Sequence, residues 1–141
     1  MKKNKGTSLK FIKIKDINII PRYLFEQIKP KELNIDRLYE WAPVFINTPF
    51  HIMGGLIDKE GEVKGVLWVS FNPVINCLTV HCLSIDKEYY GKGIMPEIRG
   101  ILMKLKKNVG ADSIQALTTR SNAIKKLVDG SYEKKIKIVE L

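Results

Sequence analysis

The stretch from residue 51 to residue 118 most constrains the fold, because its hydrophobic period changes from two to that of a helix and back again. Residues 51–57, 63–71 and 77–85 are rich in β-branched, aromatic and other apolar side chains. They are separated by Asp58-Lys59-Glu60-Gly61 and by Asn72-Pro73-Val74-Ile75-Asn76, which predicts three antiparallel strands in a meander. The unbroken apolar run Val66-Leu67-Trp68-Val69 predicts a central strand covered on both faces. From 93 to 108 the apolar positions become Ile94, Met95, Ile98, Ile101, Leu102 and Leu105, with Arg99, Lys104, Lys106 and Lys107 mostly on the other side. That spacing is one stripe of a helix, and Gly110 is placed to end it. A strand at 113–118 follows, so the helix is a crossover and the strands on either side of it are expected to run parallel.

The flanks are less regular. Residues 9–14 alternate as a strand, while 22–28 and 35–45 have helix-like spacing that Pro30 and Pro43 are expected to break. Residues 122–128 predict a short helix capped by Ser121 or Asn122, and 134–141 a last strand. The fold class is therefore α+β, with a mixed, mostly antiparallel central sheet flanked by helices. A chain of 141 residues has the size of one domain, read as 9–141 behind a basic tail at 1–8. A hydrophobic share of 45% and a mean hydropathy of −0.10, with no apolar run approaching the roughly 18 residues of a span, exclude disordered and transmembrane classes.

Charge raises the question of partners. The balance is +9, and six lysines without an acid fall in the first 15 residues, so two thirds of the surplus lies there. A basic chain favours polyanions: nucleic acid, acidic membrane surface or a phosphate-bearing cofactor. That opening stretch lacks the long apolar core and small-residue cleavage site of a secretory signal. With only two cysteines, Cys77 and Cys82, the expectation is a reducing cytoplasm. Strand alternation puts these two on opposite faces, where they cannot bridge. Together with His51 and His81 they have no ligand-pair spacing, so no metal site is expected.

The chemistry-bearing feature is Asp86-Lys87-Glu88-Tyr89-Tyr90-Gly91-Lys92-Gly93-Ile94-Met95, at a strand-to-helix junction. Two glycines there let backbone N–H groups converge on one point, and the helix N-terminus adds its partial positive charge, which suits a phosphate. It is neither G-x-x-x-x-G-K-[ST] nor a complete G-x-G-x-x-G.

The stretch from Leu83 to Ile94 resembles the acetyl-CoA signature of the GNAT superfamily of acyl-CoA N-acyltransferases, in which Gln/Arg-x-x-Gly-x-Gly/Ala follows a strand. Tyr90 takes the Gln/Arg place, Gly93 keeps the central glycine, and Met95 replaces the last Gly/Ala. The order of elements over residues 9–141 agrees with that family's fold. The resemblance implies acetyl-CoA as co-substrate, held by the backbone of Tyr90, Gly91, Lys92, Gly93, Ile94 and Met95. The pantetheine arm would lie beside Leu83, Ser84 and Ile85, with the Leu83 or Ile85 amide as oxyanion donor, and Asn122 completing the cofactor contacts. It further implies direct acetyl transfer to a primary amine of unidentified structure, in the cytoplasm and without a membrane, with a homodimer as a compatible assembly.

Acid and base are less defined. The family's helix tyrosine falls on Leu127 or Asp129, which leaves Tyr132 as the nearest phenol for the thiolate's proton. Alternation places Thr79, His81 and Leu83 on one strand face, making His81 the candidate base. The plainer reading of His81 is a satisfied sheet histidine, and His51 is a lesser candidate. Trp41, Trp68 and Phe71 read as core. Arg120, Lys125 and Lys126 suit either the cofactor phosphates or a solvated helix face, and Glu26 and Asp36 are the acids nearest an acceptor. The competing class is a catalytically degenerate protein on the same fold, such as those carried by some bacteriophages, that uses its basic surface on nucleic acid or a protein partner.

Overall fold

The structure, a computed structural model, describes residues 8–28 and 33–116. It contains β1 (Lys10–Lys13), α1 (Arg22–Glu26), α2 (Ile35–Ile46), β2 (His51–Ile57), β3 (Val63–Asn72), β4 (Cys77–Ile85), α3 (Met95–Val109) and β5 (Ser113–Ala116). One sheet runs β1-β2-β3-β4-β5; β4 and β5 are parallel and every other pair is antiparallel, as the crossover required. The basic tail, the helix at 122–128, the strand at 134–141 and Arg120, Asn122, Lys125, Lys126 and Tyr132 lie outside the described residues.

The sheet is covered on both faces, which is why β3 reads as continuous apolar sequence. Leu67 and Val69 join Leu56, Leu78, Val80 and Ile85 against Ile94, Ile98 and Leu102 of α3. Val66 and Trp68 point the other way, to Leu24 and Phe25 of α1 and Leu38, Ala42 and Ile46 of α2. Each fully buried side chain of this size contributes about 1.5–3 kcal/mol, so the two clusters clamp β3 from both sides.

Two expectations are corrected. Pro43 does not break α2, which continues from Ile35 to Ile46. Asn34 caps the helix by accepting from Arg37 N–H at 3.1 Å, and Leu38, Ala42 and Ile46, at four-residue spacing across the proline, all pack into one core. Burial on both sides of the missing hydrogen bond outweighs its loss.

The second correction concerns β4. Trp68 pairs with Cys82 while the next residue of β3, Val69, pairs with Val80, so His81 is an extra residue and β4 is bulged there. The bulge shifts the side-chain phase. Leu78 and Val80 face α3, and so do Leu83 and Ile85, whereas Cys82 joins the α1–α2 cluster. Thr79, His81 and Leu83 therefore do not share a face. Cys77 and Cys82, five residues apart, come onto the same one; they stay apart because about 16 Å of strand separates them, and both are free thiols.

Glycine permits close strand approach between β1 and β2. A Cβ at Gly54 would meet the Phe11 ring and, at 2.6 Å, the carbonyl oxygen of Ile12, whereas one at Gly100 in α3 would meet nothing within 4 Å. Gly54→Ala is expected to destabilise the fold by about 1–3 kcal/mol, and Gly100→Ala to stabilise it by about 0.5–1 kcal/mol. Urea denaturation of the two variants checks the opposite signs.

Candidate functional site

The end of β4 is built as a backbone surface. Asp86 N–H donates to Lys64 O on β3 at 2.7 Å, so alternation turns the N–H groups of Leu83 and Ile85 to the opposite edge. On that edge β5 pairs only with Cys77 to Val80, and no strand among the described residues lies beside Leu83 to Ile85. The side chain of Gln27, just past α1, confirms the direction: its amide donates to Ile85 O at 3.0 Å and to Ser84 Oγ at 2.8 Å.

Beyond Ile85, Asp86 accepts from Glu88 N–H at 3.0 Å and caps a 3-10 turn at Lys87–Tyr89. Tyr89 is buried in the α3 core and anchors that turn. The chain then passes through Gly91 (φ 73°) and Gly93 (φ 71°), a left-handed conformation that disfavours any side chain, and a Cβ at either would project into open space. Ile94 caps α3 with no side-chain partner, Met95 begins it, and Pro96 sits in its first turn. The N–H groups of Ile94 and Met95 are among those that a helix leaves without intrahelical acceptors, and Pro96 has none to leave. Met95 packs inward against the α3 core. Its side chain thus leaves the loop's concave backbone clear, and Tyr90 is exposed beside it.

On the other face of the sheet an open cleft of about 310 Å³ is lined by Leu33, Asn34, Arg37, Leu38, Trp41, Phe45, Trp68 and His81. Alternation from Val80, which faces α3, puts His81 here. Its Nε2 lies 2.6 Å from Ser70 Oγ, and its ring stacks 4.7 Å from Trp68 and 5.7 Å from His51. Trp68 Nε1–H in turn donates to His51 Nδ1 at 3.0 Å. Trp68 is buried, as expected, but Trp41 is 46% exposed and forms the outer wall of the cleft. Phe71 is half-buried against the α3 cluster. Glu26 and Asp36 do not line the cleft; both bind Arg22, at 3.5 and 3.4 Å.

Burial and, secondarily, the charge of His51 push the His81 imidazole down to about 4, and burial also lowers His51. Both rings are neutral at pH 7, and a base of pKa about 4 takes a proton from an ammonium only weakly. Burial pushes the Cys82 thiol up to about 12, which leaves it protonated and inert. Near the strand end, Tyr23 donates to Asp86 Oδ2 at 2.5 Å; burial, then that carboxylate, raise the phenol to about 12. Lys64 joins Glu62 and Glu88 at 3.3 and 3.4 Å behind the turn. Among the described residues no group of three His, Cys, Asp or Glu is placed to hold a metal, and no helix is long and apolar enough to cross a membrane.

The structure therefore brings Leu83, Ser84, Ile85, Tyr90, Gly91, Lys92, Gly93, Ile94 and Met95 into one run from strand edge to helix start, with His81 on the far face. The cleft residues Asn34, Arg37 and Trp41 and the anchor Gln27 carried no recognisable motif. One sequence signal did mark the bulge: the apolar residues of β4 move from even positions, Leu78 and Val80, to odd ones, Leu83 and Ile85.

No model of a protein family matches the chain, and no curated protein matches it. Solved structures do. Aminoglycoside 6'-N-acetyltransferase AAC(6')-Ih from Acinetobacter baumannii superposes with a TM-score of 0.69 at 11% identity, over 95% of this chain and 97% of that one. AAC(6')-Iy, in complex with the bisubstrate analogue CoA-S-monomethyl-acetylneamine, gives 0.67 at 12% identity over 94% and 96%. A possible acetyltransferase from Clostridium difficile 630 gives 0.68 at 14% identity over 95% and 97%. The fold is that of the GNAT acetyltransferases.

Because the folded pKa of His81 lies below its unfolded value, the stability it contributes is complete above about pH 6.5 and is lost as pH falls from there toward 4. Its imidazole resonances are expected to titrate near pH 4. His81→Gln is expected to flatten the acid limb of the stability profile between those values.

Proposed function

We propose that the protein is an acetyl-CoA-dependent N-acetyltransferase that moves the acetyl group directly to a primary amine. The observation that carries this reading is the continuous backbone surface in which the Leu83 and Ile85 N–H groups, turned away from β3, lead into the Gly91–Gly93 loop at the head of α3. Structures of the same fold with amine-acetylating names, one holding a coenzyme A bisubstrate analogue, support it.

The residues present fit such a co-substrate. The loop, with open space over both glycines, accommodates the pyrophosphate against the Ile94 and Met95 N–H groups and the positive end of α3. Acetyl-CoA supplies a thioester carbonyl that a neutral amine attacks to give an amide and free thiol. The Leu83 or Ile85 N–H donates to the carbonyl oxygen as it gains negative charge, a contact that strengthens in the transition state. His81, neutral at pH 7, acts by accepting a hydrogen bond from the amine rather than by holding its proton, which passes to solvent. Tyr132 remains the proposed proton donor to the departing thiolate, outside the described residues.

The test is thermal unfolding with acetyl-CoA. At about 100 times its dissociation constant the ligand is expected to add about 2.7 kcal/mol, a rise in Tm of roughly 5–10 °C for a chain of this length. Gly93→Trp, whose side chain would occupy the loop, is expected to lower the ligand-free Tm through the strain of a side chain at φ 71° and to abolish the rise above that new baseline. An unchanged Tm at millimolar cofactor would overturn the reading in favour of a binding protein on the same fold.

A further inference from the structure

The cleft has a composition that selects its occupant. Trp41, Phe45 and Trp68 form three aromatic walls, Phe45 and Trp68 standing 4.9 Å apart between ring centroids. Trp41, held in the cleft yet 46% exposed, keeps apolar surface that a flat ligand would cover. At about 310 Å³ the space lies at the small end of ligand pockets, which run from roughly 300 to 1,000 Å³.

Charge adds a second, independent constraint. Arg37 is the sole charged side chain among the described residues that line the cleft, and its guanidinium makes no ion pair with any described residue. Arg22 holds Glu26 and Asp36, and Glu40, exposed on α2, is not among the residues that line the cleft. Polyamines and aminoglycosides carry several positive charges, and among the described residues this lining offers them a guanidinium and no carboxylate. A ligand carboxylate, in contrast, would find the five-donor fork of Arg37, which binds such groups bidentately.

We propose that the acceptor is a small aromatic amine that also carries a carboxylate, the class to which aromatic amino acids belong. Its ring lies between Trp41, Phe45 and Trp68 and its carboxylate on Arg37. Its amine is directed past His81 toward β4, where Leu83 lies about 6–7 Å further along the strand. This assignment rests on the acetyltransferase reading for its chemistry, but its binding part is separately measurable.

The chain's two tryptophans both line the cleft, so intrinsic fluorescence reports occupancy without turnover. The full chain, with coenzyme A present, is titrated with phenylalanine, with phenethylamine, which lacks the carboxylate, and with spermidine. Saturable change is expected with phenylalanine, at least tenfold weaker binding of phenethylamine, and none of spermidine. Arg37 is exposed, so Arg37→Glu is expected to fold normally, to weaken phenylalanine at least tenfold and to strengthen phenethylamine. Equal or tighter binding of phenethylamine or spermidine by the unaltered chain, absence of phenylalanine binding, or an order unaltered in Arg37→Glu overturns the proposal. A Tm rise with acetyl-CoA alongside any of those results sinks only the acceptor. Phenylalanine binding without that rise sinks only the acetyltransferase reading.

Discussion

The extra residue at His81 governs most of what is distinctive in this molecule. A regular β4 would present Leu78, Val80, Cys82 and Ser84 on one face. With one residue inserted opposite the Trp68–Val69 step, the strand instead presents Leu78, Val80, Leu83 and Ile85 to α3. His81, opposite to Val80 by ordinary alternation, meets Trp68 and Ser70 on the other face, and the shift brings Cys82 onto that face beside it and turns Leu83 to α3. A single local irregularity thus re-aims the end of β4 beside the candidate site, as bulges near functional sites commonly do.

Both consequences need a rigid frame. α3 buries Ile98 and Leu102 completely against the sheet, fixing the helix start and the loop before it. On the other side α1 is tied to the strand end twice, by Gln27 to Ser84 and Ile85 and by Tyr23 to Asp86. The backbone donors of Leu83 and Ile85 are consequently held between two anchored elements. Preorganisation of this kind is what makes a backbone N–H effective at a developing oxyanion.

Electrostatics divides the two faces of the site. The loop side offers a helix start, two glycines and Lys92, a place for anionic phosphate. The cleft side is largely apolar, its histidine kept neutral by burial and its single described charge a guanidinium.

Much of this was legible in the sequence alone. The three-strand meander, the amphipathic stripe of α3 and the parallel return to β5 follow from periodicity and turn residues, which are local properties. The glycine pair follows from the positive φ that Gly91 and Gly93 adopt. Tertiary structure decided the rest. Pro43 stays inside a helix because packing of Leu38, Ala42 and Ile46 outweighs one lost hydrogen bond. Trp68 meets Arg37 and Trp41, one turn apart on α2, in one cleft only because that helix docks on the sheet. The faces taken by Cys82 and Leu83 depended on a register shift between β3 and β4, an event of strand pairing that no alternation rule applied to one strand can contain.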